Sequence, residues 1–467
     1  MSRQKRPTLA IAGASGFVGQ TIIKLLANRF HIIGLSRTER EAGSHGVSEW
    51  RRCDLFCMTD VEEALDGVDY AVYLVHSMMP RDRLTQGSFA DLDVLLADNF
   101  ARAARRCCVK QIVYLGGLIP DGVELSVHLQ SRLEVETVLA STGVPVTTLR
   151  AGLILGESGS SAQILKNLVR RLPVMACPRW VNTKTQPIVI DDVASIIAAV
   201  VAQPRFFDTT FDIAGPDVVT YRWLMECTGH VMGRAPKMVM LPFFNLRLSR
   251  LWLQLITGAP SSLVSPLIDS LRHEMVAKDD TIWAVTGLTP TPLSVGILAL
   301  VGAHSPAPRA FLKLASGPTA SVVRSVQRLP RPRFMNASHV AEVYFTWLPR
   351  FLRFLLTLET AGTDCRFTLR FLAKPLLVLR YMKDSSAGDR PLFRIVGGIL
   401  ADASPQARLE FRVVPGRDEV LASIHDFYPS LWWPLYRWGQ APVHKWVMTS
   451  FGRHLASDKQ TEERIAA

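Results

Sequence analysis

The sequence predicts an α/β protein: a doubly wound parallel sheet, followed by an α+β domain built on antiparallel strands. Three observations carry this. A short apolar strand, Thr8 to Ala12, runs directly into a glycine turn and an apolar helix. Strand-like runs then alternate with helical segments to about residue 215, the pattern of parallel strands joined by crossovers. Beyond about residue 335 apolar residues alternate with arginines, the period of a half-solvated antiparallel sheet.

The first element is the most informative. Gly13-Ala14-Ser15-Gly16-Phe17-Val18-Gly19 follows the strand at once and opens the helix from Gln20. Strand, glycine turn and helix form the context of the dinucleotide fingerprint. Gly13 allows the tight turn, Gly16 a close backbone approach to pyrophosphate, and Gly19 the packing of helix on strand. The helix N-terminus, with Ser15, Phe17 and Val18 around it, offers unpaired N–H groups and a positive dipole to phosphates.

A second strand, His31 to Ser36, ends in Ser36-Arg37. A carboxylate there would bind a ribose 2′-hydroxyl; a hydroxyl and a guanidinium suit a 2′-phosphate. NADP(H) is therefore the preferred cofactor, with NAD(H) as the alternative, and Arg40 stands close enough in sequence to assist. Asp54-Leu55 precedes a helix for which Thr59 is the expected N-cap. Asp69 to His76, Gln111 to Gly117 and Val146 to Arg150 read as further strands. His76 falls at a strand end, on the nicotinamide-side rim where ligand-facing residues gather. Asp191-Asp192 is expected to cap and open a helix rather than hold a metal.

These residues resemble the short-chain dehydrogenase/reductase superfamily, specifically its atypical and extended members: NmrA-like proteins and the nucleotide-binding accessory subunit of respiratory complex I. The resemblance covers roughly residues 7–300 and rests on the glycine turn, Asp54-Leu55, Leu149 to Gly156, Pro187 to Val193 and Phe211 to Pro216. It implies a Rossmann fold and contact of Asp54 and Leu55 with adenine. It departs at the catalytic centre, where the superfamily's Tyr-x-x-x-Lys is replaced by His128-Leu129-Gln130-Ser131-Arg132, and the usual Ser/Thr by Gly116-Gly117. A proton-transferring His128 and a ribose- or phosphate-binding Arg132 are the catalytic candidates.

The expected division is 1–300 for the dinucleotide domain, including a substrate-side lobe at about 216–300, then a linker at 301–335 and an α+β domain at 336–460. Leu241 to Ile256 reads as a bulky apolar helix that walls a pocket or lies at a membrane interface. Val340 to Leu358 reads as a helix interrupted at Pro349, and five strand-like runs follow between Arg366 and His425. A helical stretch bearing Trp432, Trp433, Trp438 and Trp446 closes the chain. Sheet plus long C-terminal helix is similar to the START-like helix-grip fold, whose members often hold apolar ligands.

The composition narrows the function further. From residue 320 onward there are 21 Lys+Arg against 13 Asp+Glu, so the C-terminal region is basic and open to peripheral contact with an anionic membrane. No RRM or KH signature points to nucleic acid. The seven cysteines lack paired CxxC spacing, so no metal site is expected. No run of about 18 apolar residues suggests a membrane span, and no signal peptide is evident. The expected location is the cytoplasm, with membrane association left open. The expected function is an NADP(H)-dependent oxidoreductase acting on a hydrophobic, lipid- or quinone-like substrate. The alternative is a non-catalytic NADP(H)-binding lipid-binding, sensor or assembly protein.

Overall fold

The computed structural model describes residues 6–41, 43, 46–76, 82–171, 174–234, 236–240, 268–302, 320–353, 355–402, 404 and 406–466. The chain forms two compact units, residues 1–79 with 93–315, and residues 80–92 with 316–467.

The first unit is built on β1 (Thr8–Ala12), α1 (Phe17–Leu26), β2 (His31–Ser36), β3 (Glu49–Arg52), α2 (Met58–Leu65) and β4 (Tyr70–Tyr73). After β5 (Asp82–Gln86), which belongs to the second unit, come α3 (Phe89–Arg106), β6 (Gln111–Gly117), α4 (Val127–Ala140) and β7 (Val146–Ala151). Seven strands lie in the order Thr209–Ile213, β7, β6, β4, β1, β2, β3, all parallel. Their runs are apolar on both faces because helices cover both, as a parallel sheet requires. Leu9, Ile11, Val72, Val113 and Leu149 form the strand layer of a core that also takes Ile22 and Ile23 of α1. Strand order reverses between β1 and β4, so a crevice opens at the carboxyl ends of those two strands. This is the doubly wound Rossmann architecture.

Several local expectations are corrected. Helix α2 begins at Met58 with Cys57 as N-cap and no side-chain cap, so Thr59 lies inside it. Asp191 and Asp192 sit in the first turn of the helix Ile190–Val200, whose N-cap is Val189. Asp192 accepts from the backbone N–H and hydroxyl of Thr291 at 2.8 and 2.7 Å, which makes it a tie for that loop. The stretch 241–256 lies outside the described residues.

The second unit is an eight-stranded sheet in the order Leu356–Ala361, Asp364–Leu369, Leu377–Tyr381, Leu392–Gly397, Arg408–Val413, Glu419–Phe427, Ala320–Pro330, β5. Every pairing is antiparallel except the last, where β5 runs parallel to Ala320–Pro330. The eleven-residue strand Ala320–Pro330 occupies part of the stretch expected to be a linker. The helix over Val340 to Leu358 is instead Ala337–Phe351, with Pro349 in its last turn. Proline supplies no N–H to the turn before it, and Leu356 already pairs as a strand.

One face of this sheet packs on that helix and on Ala441–Ala466 through an aromatic cluster. Tyr344 lies 5.1 Å from Phe451, and Phe345 lies 4.8 Å from Phe393. Alternate residues on the other face carry charge. Buried Glu410 accepts from Arg412 at 2.8 Å and from Arg390 at 3.1 Å, and lies 3.1 Å from His425 Nε2. Burial pushes the Glu410 carboxyl up, but the two guanidiniums outweigh it and hold it well below the usual carboxylate range.

Candidate dinucleotide and proton-transfer site

The glycine turn is built as its residues dictate. Gly13 has φ +96°, a conformation L side chains rarely adopt, and its carbonyl accepts from Gly16 N–H at 2.9 Å. A Cβ on Gly19 would stand 2.4 Å from that same carbonyl, so helix and turn fit only around a hydrogen. Gly16 is the N-cap of α1 and contributes no side-chain cap, which leaves the first-turn N–H groups of Phe17 and Val18 without a side-chain acceptor. Ser15 and Gly16 are exposed, and Gln20 reaches back to the Ser15 carbonyl at 3.2 Å. Phe17 fills the space left by a second glycine, for a Cβ on Gly156 would meet its ring at 2.4 Å. This backbone fits a pyrophosphate.

At the end of β2 the Ser36 hydroxyl accepts from Thr38 N–H at 3.3 Å and from Arg40 Nε at 3.2 Å. The Arg40 guanidinium lies 5.0 Å from the Trp50 ring, and that ring covers Gly34. Arg37 is exposed and has no partner among the described residues. Arg52, on β3, pairs in register with Ser36 and is likewise exposed and unpaired among the described residues. The register places Arg52 on the same face as Trp50, two residues along. The sequence reading missed Arg52, because parallel register leaves no trace in the sequence of either strand. Beside it the Asp54-Leu55 loop is fixed: Asp54 accepts from Phe56 N–H at 3.2 Å, and the Asn99 amide donates to the Leu55 and Phe56 carbonyls at 2.9 and 3.1 Å. Asp54 is half-buried and Leu55 buried.

The third group gathers beyond β4 and β6. His76 Nδ1 lies 3.0 Å from Oδ2 of Asp93, a carboxylate only 2% exposed on α3. Ser131 of α4 donates to the same oxygen at 3.3 Å. His76 Nε2 is buried and has no partner among the described residues. The His76 and His128 rings are 5.3 Å apart. Burial, then the charge of Arg132, lower the His76 pKa against the pull of Asp93. The same causes, with His76 added, lower His128 to about 3. Both imidazoles are neutral near pH 7. The Arg132 side chain lies along Gly117, where a Cβ would be 3.7 Å away, and no partner of its guanidinium is found among the described residues. Tyr114, which burial raises to about 12, donates its hydroxyl to the Arg132 carbonyl at 3.3 Å.

The structure therefore brings the sequence-selected His76, His128 and Arg132 together and adds Asp93 and Ser131. Asp93 left one trace in the sequence: it holds the i position of a helical set whose i+3, i+4 and i+7 members are Leu96, Ala97 and Phe100, all buried. A neutral His76 that donates from Nδ1 to Asp93 presents a lone pair at Nε2, so the pair can accept and return one proton. No cluster with metal-ligand composition occurs among the described residues. No helix among them is long and apolar enough to cross a membrane.

Residues 13–204 match the NAD(P)H-binding family. The chain is 29% identical over 146 residues to the auxiliary protein GraX of Staphylococcus aureus, which covers 31% of this chain and 43% of that protein. The chain thus spans less than half the length of this relative. Among solved structures it resembles a nucleoside-diphosphate-sugar epimerase of Staphylococcus aureus, with a TM-score of 0.51 and 15% identity over 62% of this chain and 99% of that one. It also resembles the triphenylmethane reductase of Citrobacter sp. complexed with NADP(H), with a TM-score of 0.50 and 19% identity over 63% of this chain and 100% of that one. Likeness at these identities is a likeness of fold. The matched segment contains the glycine turn, Arg37, Arg52, His76, Asp93 and His128.

Proposed function

We propose that this NAD(P)H-binding domain takes NADP(H) and serves an oxidoreductase whose substrate is a hydrophobic carbonyl or quinone-like molecule. One observation carries the reading: an open glycine turn and an imidazole–carboxylate pair share the carboxyl edge of one parallel sheet. Arg37, Arg40 and Arg52 around Ser36 hold the ribose 2′-phosphate, and Asp54 with Leu55 flanks the adenine. The first-turn N–H groups of α1 take the pyrophosphate. When bound, the nicotinamide supplies the two-electron chemistry. His76 moves the accompanying proton at Nε2, and Asp93 stabilises the imidazolium when it forms. Arg132 stabilises negative charge on the substrate oxygen or on the ribose-phosphate side. His128 packs on His76 and keeps water from the Nε2 face.

The neutral state of His128 favours a second reading, a protein that binds NADP(H) without turnover. A group with a pKa of about 3 is not a general acid at neutral pH, and the superfamily's Tyr and Lys are absent. Under either reading the second unit, an antiparallel sheet with a long C-terminal helix packed on it, is proposed to hold a lipid-like ligand.

Fluorescence titration with NADPH and NADH, followed by turnover assays with apolar quinones and carbonyls, tests these readings. The first expects NADPH-dependent turnover that His76→Asn abolishes. Tight NADPH binding with no turnover across the panel selects the second, and absence of binding removes both.

A further inference from the structure

The outer face of the C-terminal helical segment carries tryptophans where a solvent-facing helix carries polar groups. The segment starts at Trp432, whose carbonyl accepts from Tyr436 N–H at 3.0 Å, and continues into Ala441–Ala466. Its inner side is anchored: Tyr436 is 5% exposed and stacks near Phe427 and Trp433, and Phe451 is fully buried. Its outer side is not. Trp432 and Trp438 are each 77% exposed, Leu435 57% and Trp446 52%. These residues recur at three- and four-residue steps or their multiples, which places them on one helical stripe.

The stripe continues onto neighbouring chain. The Trp446 ring lies 5.0 Å from Phe351, at the end of the helix Ala337–Phe351. A few residues on, the Leu355 carbonyl accepts from Arg370 N–H at 3.1 Å, which brings the exposed Phe371 and Leu372 alongside exposed Leu355. Three segments of the second unit thus carry large exposed apolar side chains, and two of them meet at Trp446 and Phe351.

Charge selects the partner. Residues 427–457 contain Arg437, Lys445 and Arg453 but no Asp or Glu. Residues 343–358 contain Arg350 and Arg353 and again no acid. Residues 365–383 add five Lys or Arg, of which Arg380 pairs with Asp364 at 2.7 Å and Arg366 stands opposite Glu359 in register. Indoles between cations, on helical segments that carry no carboxylate, suit a surface that is apolar below and anionic above.

We propose that this face docks on an anionic phospholipid bilayer, with Trp432, Trp438 and Trp446 in the headgroup–acyl boundary and the cations on phosphates. The attachment is peripheral, because the helix presents only one apolar face.

The test is sedimentation of the full chain with vesicles of phosphatidylcholine alone and of phosphatidylcholine with 30–40% phosphatidylglycerol, an amount of roughly the anionic content at which polybasic segments respond. The protein is expected to bind the anionic vesicles, to release with rising salt, and to lose about tenfold or more in partitioning when Trp432 and Trp438 become Ser. Arg437→Glu with Lys445→Glu is expected to weaken anionic binding while leaving the thermal melt unchanged. Brominated phosphatidylglycerol should quench tryptophan emission in the parent protein and less in the double-Ser variant. Absence of binding to anionic vesicles at low salt overturns the proposal, as does binding indifferent to the Trp substitutions. A dimer that Trp438→Ser converts to monomer, or salt-sensitive binding to single-stranded RNA without vesicle binding, overturns it in favour of another occupant.

Discussion

The Nδ1 of His76 stands 3.0 Å from the Oδ2 of Asp93, joining a strand end to a buried helix position seventeen residues away. That bond favours the tautomer that carries the proton at Nδ1, and under the proposed function Nε2 is the atom that moves the proton. Replacing Asp93 with Asn keeps the shape but removes the charge that favours the imidazolium. Turnover with the best quinone should fall by about 10²–10⁴-fold, the usual range for losing a positioned acid–base group. NADPH affinity should change little. Steady-state kinetics beside a binding titration separates the two, and unchanged turnover would falsify the role given to this pair.

Arg37, just after β2, and Arg52, on β3, flank Ser36, and both are exposed toward solvent. Arg37→Asp and Arg52→Asp should each weaken NADPH binding by roughly 10- to 100-fold, as expected for a charge-assisted hydrogen bond worth about 1.5–3 kcal/mol. NADH binding should be preserved. Equal losses for both nucleotides would move the 2′-phosphate away from this strand end.

Gly19 has no room for a methyl group, since its Cβ would lie 2.4 Å from the Gly13 carbonyl and 2.8 Å from the Ala14 Cα. Both neighbours are backbone, so relief requires helix and turn to separate. Gly19→Ala should destabilise the protein by about 1–3 kcal/mol, the cost of overpacking a tight site, and should weaken dinucleotide binding with it. Urea unfolding monitored with and without NADPH measures both effects.

The acid limb of stability should depend on His128. Burial first, then Arg132 and His76, hold its folded pKa at about 3, whereas an unfolded histidine titrates at about 6.5. Between those values the unfolded chain binds the extra proton, so stability is full above about pH 6.5 and drains away as the pH falls toward 3. His128→Gln removes one such group. Its denaturation midpoint should fall less steeply between pH 7 and pH 4 than that of the parent, and parallel slopes would refute the account.

In the second unit, Glu410 balances Arg412 and Arg390 with almost no solvent access. Glu410→Gln removes the charge that two buried guanidiniums face. Removing one partner of such a pair costs about 3–5 kcal/mol, so this unit should melt first in calorimetry. A melt identical to the parent's would mean that water reaches the cluster.

The dinucleotide turn was legible because everything it needs is local: an apolar strand, three glycines at fixed steps and a helix. Each half of the histidine cluster was also visible alone, His76 from its strand end as a cofactor-side residue and His128 with Arg132 from the place matching Tyr-x-x-x-Lys. Their convergence on Asp93 was not, because packing of α3 against β4 and α4 brings them together and no spacing encodes it. The strand pattern between Asp364 and Phe427 was plain from its alternation. Ala320–Pro330 was obscured by polar residues, Arg324, Ser325, Gln327 and Arg328, whose burial depends on partners elsewhere: Arg324 on Asp426, and Arg328 on Asp91 and Glu419.

Strand β5 is drawn from sequence between β4 and α3, yet its hydrogen-bonding partner, Ala320–Pro330, emerges from the ribosome more than 200 residues later. During synthesis that strand has to wait unpaired, and its neighbours in the nascent chain can offer it nothing. The second unit is thus drawn from two separate stretches of the sequence. A fragment beginning near residue 316 lacks β5 and exposes the free edge of Ala320–Pro330, an invitation to intermolecular pairing. A fragment ending there carries an orphan strand in its place.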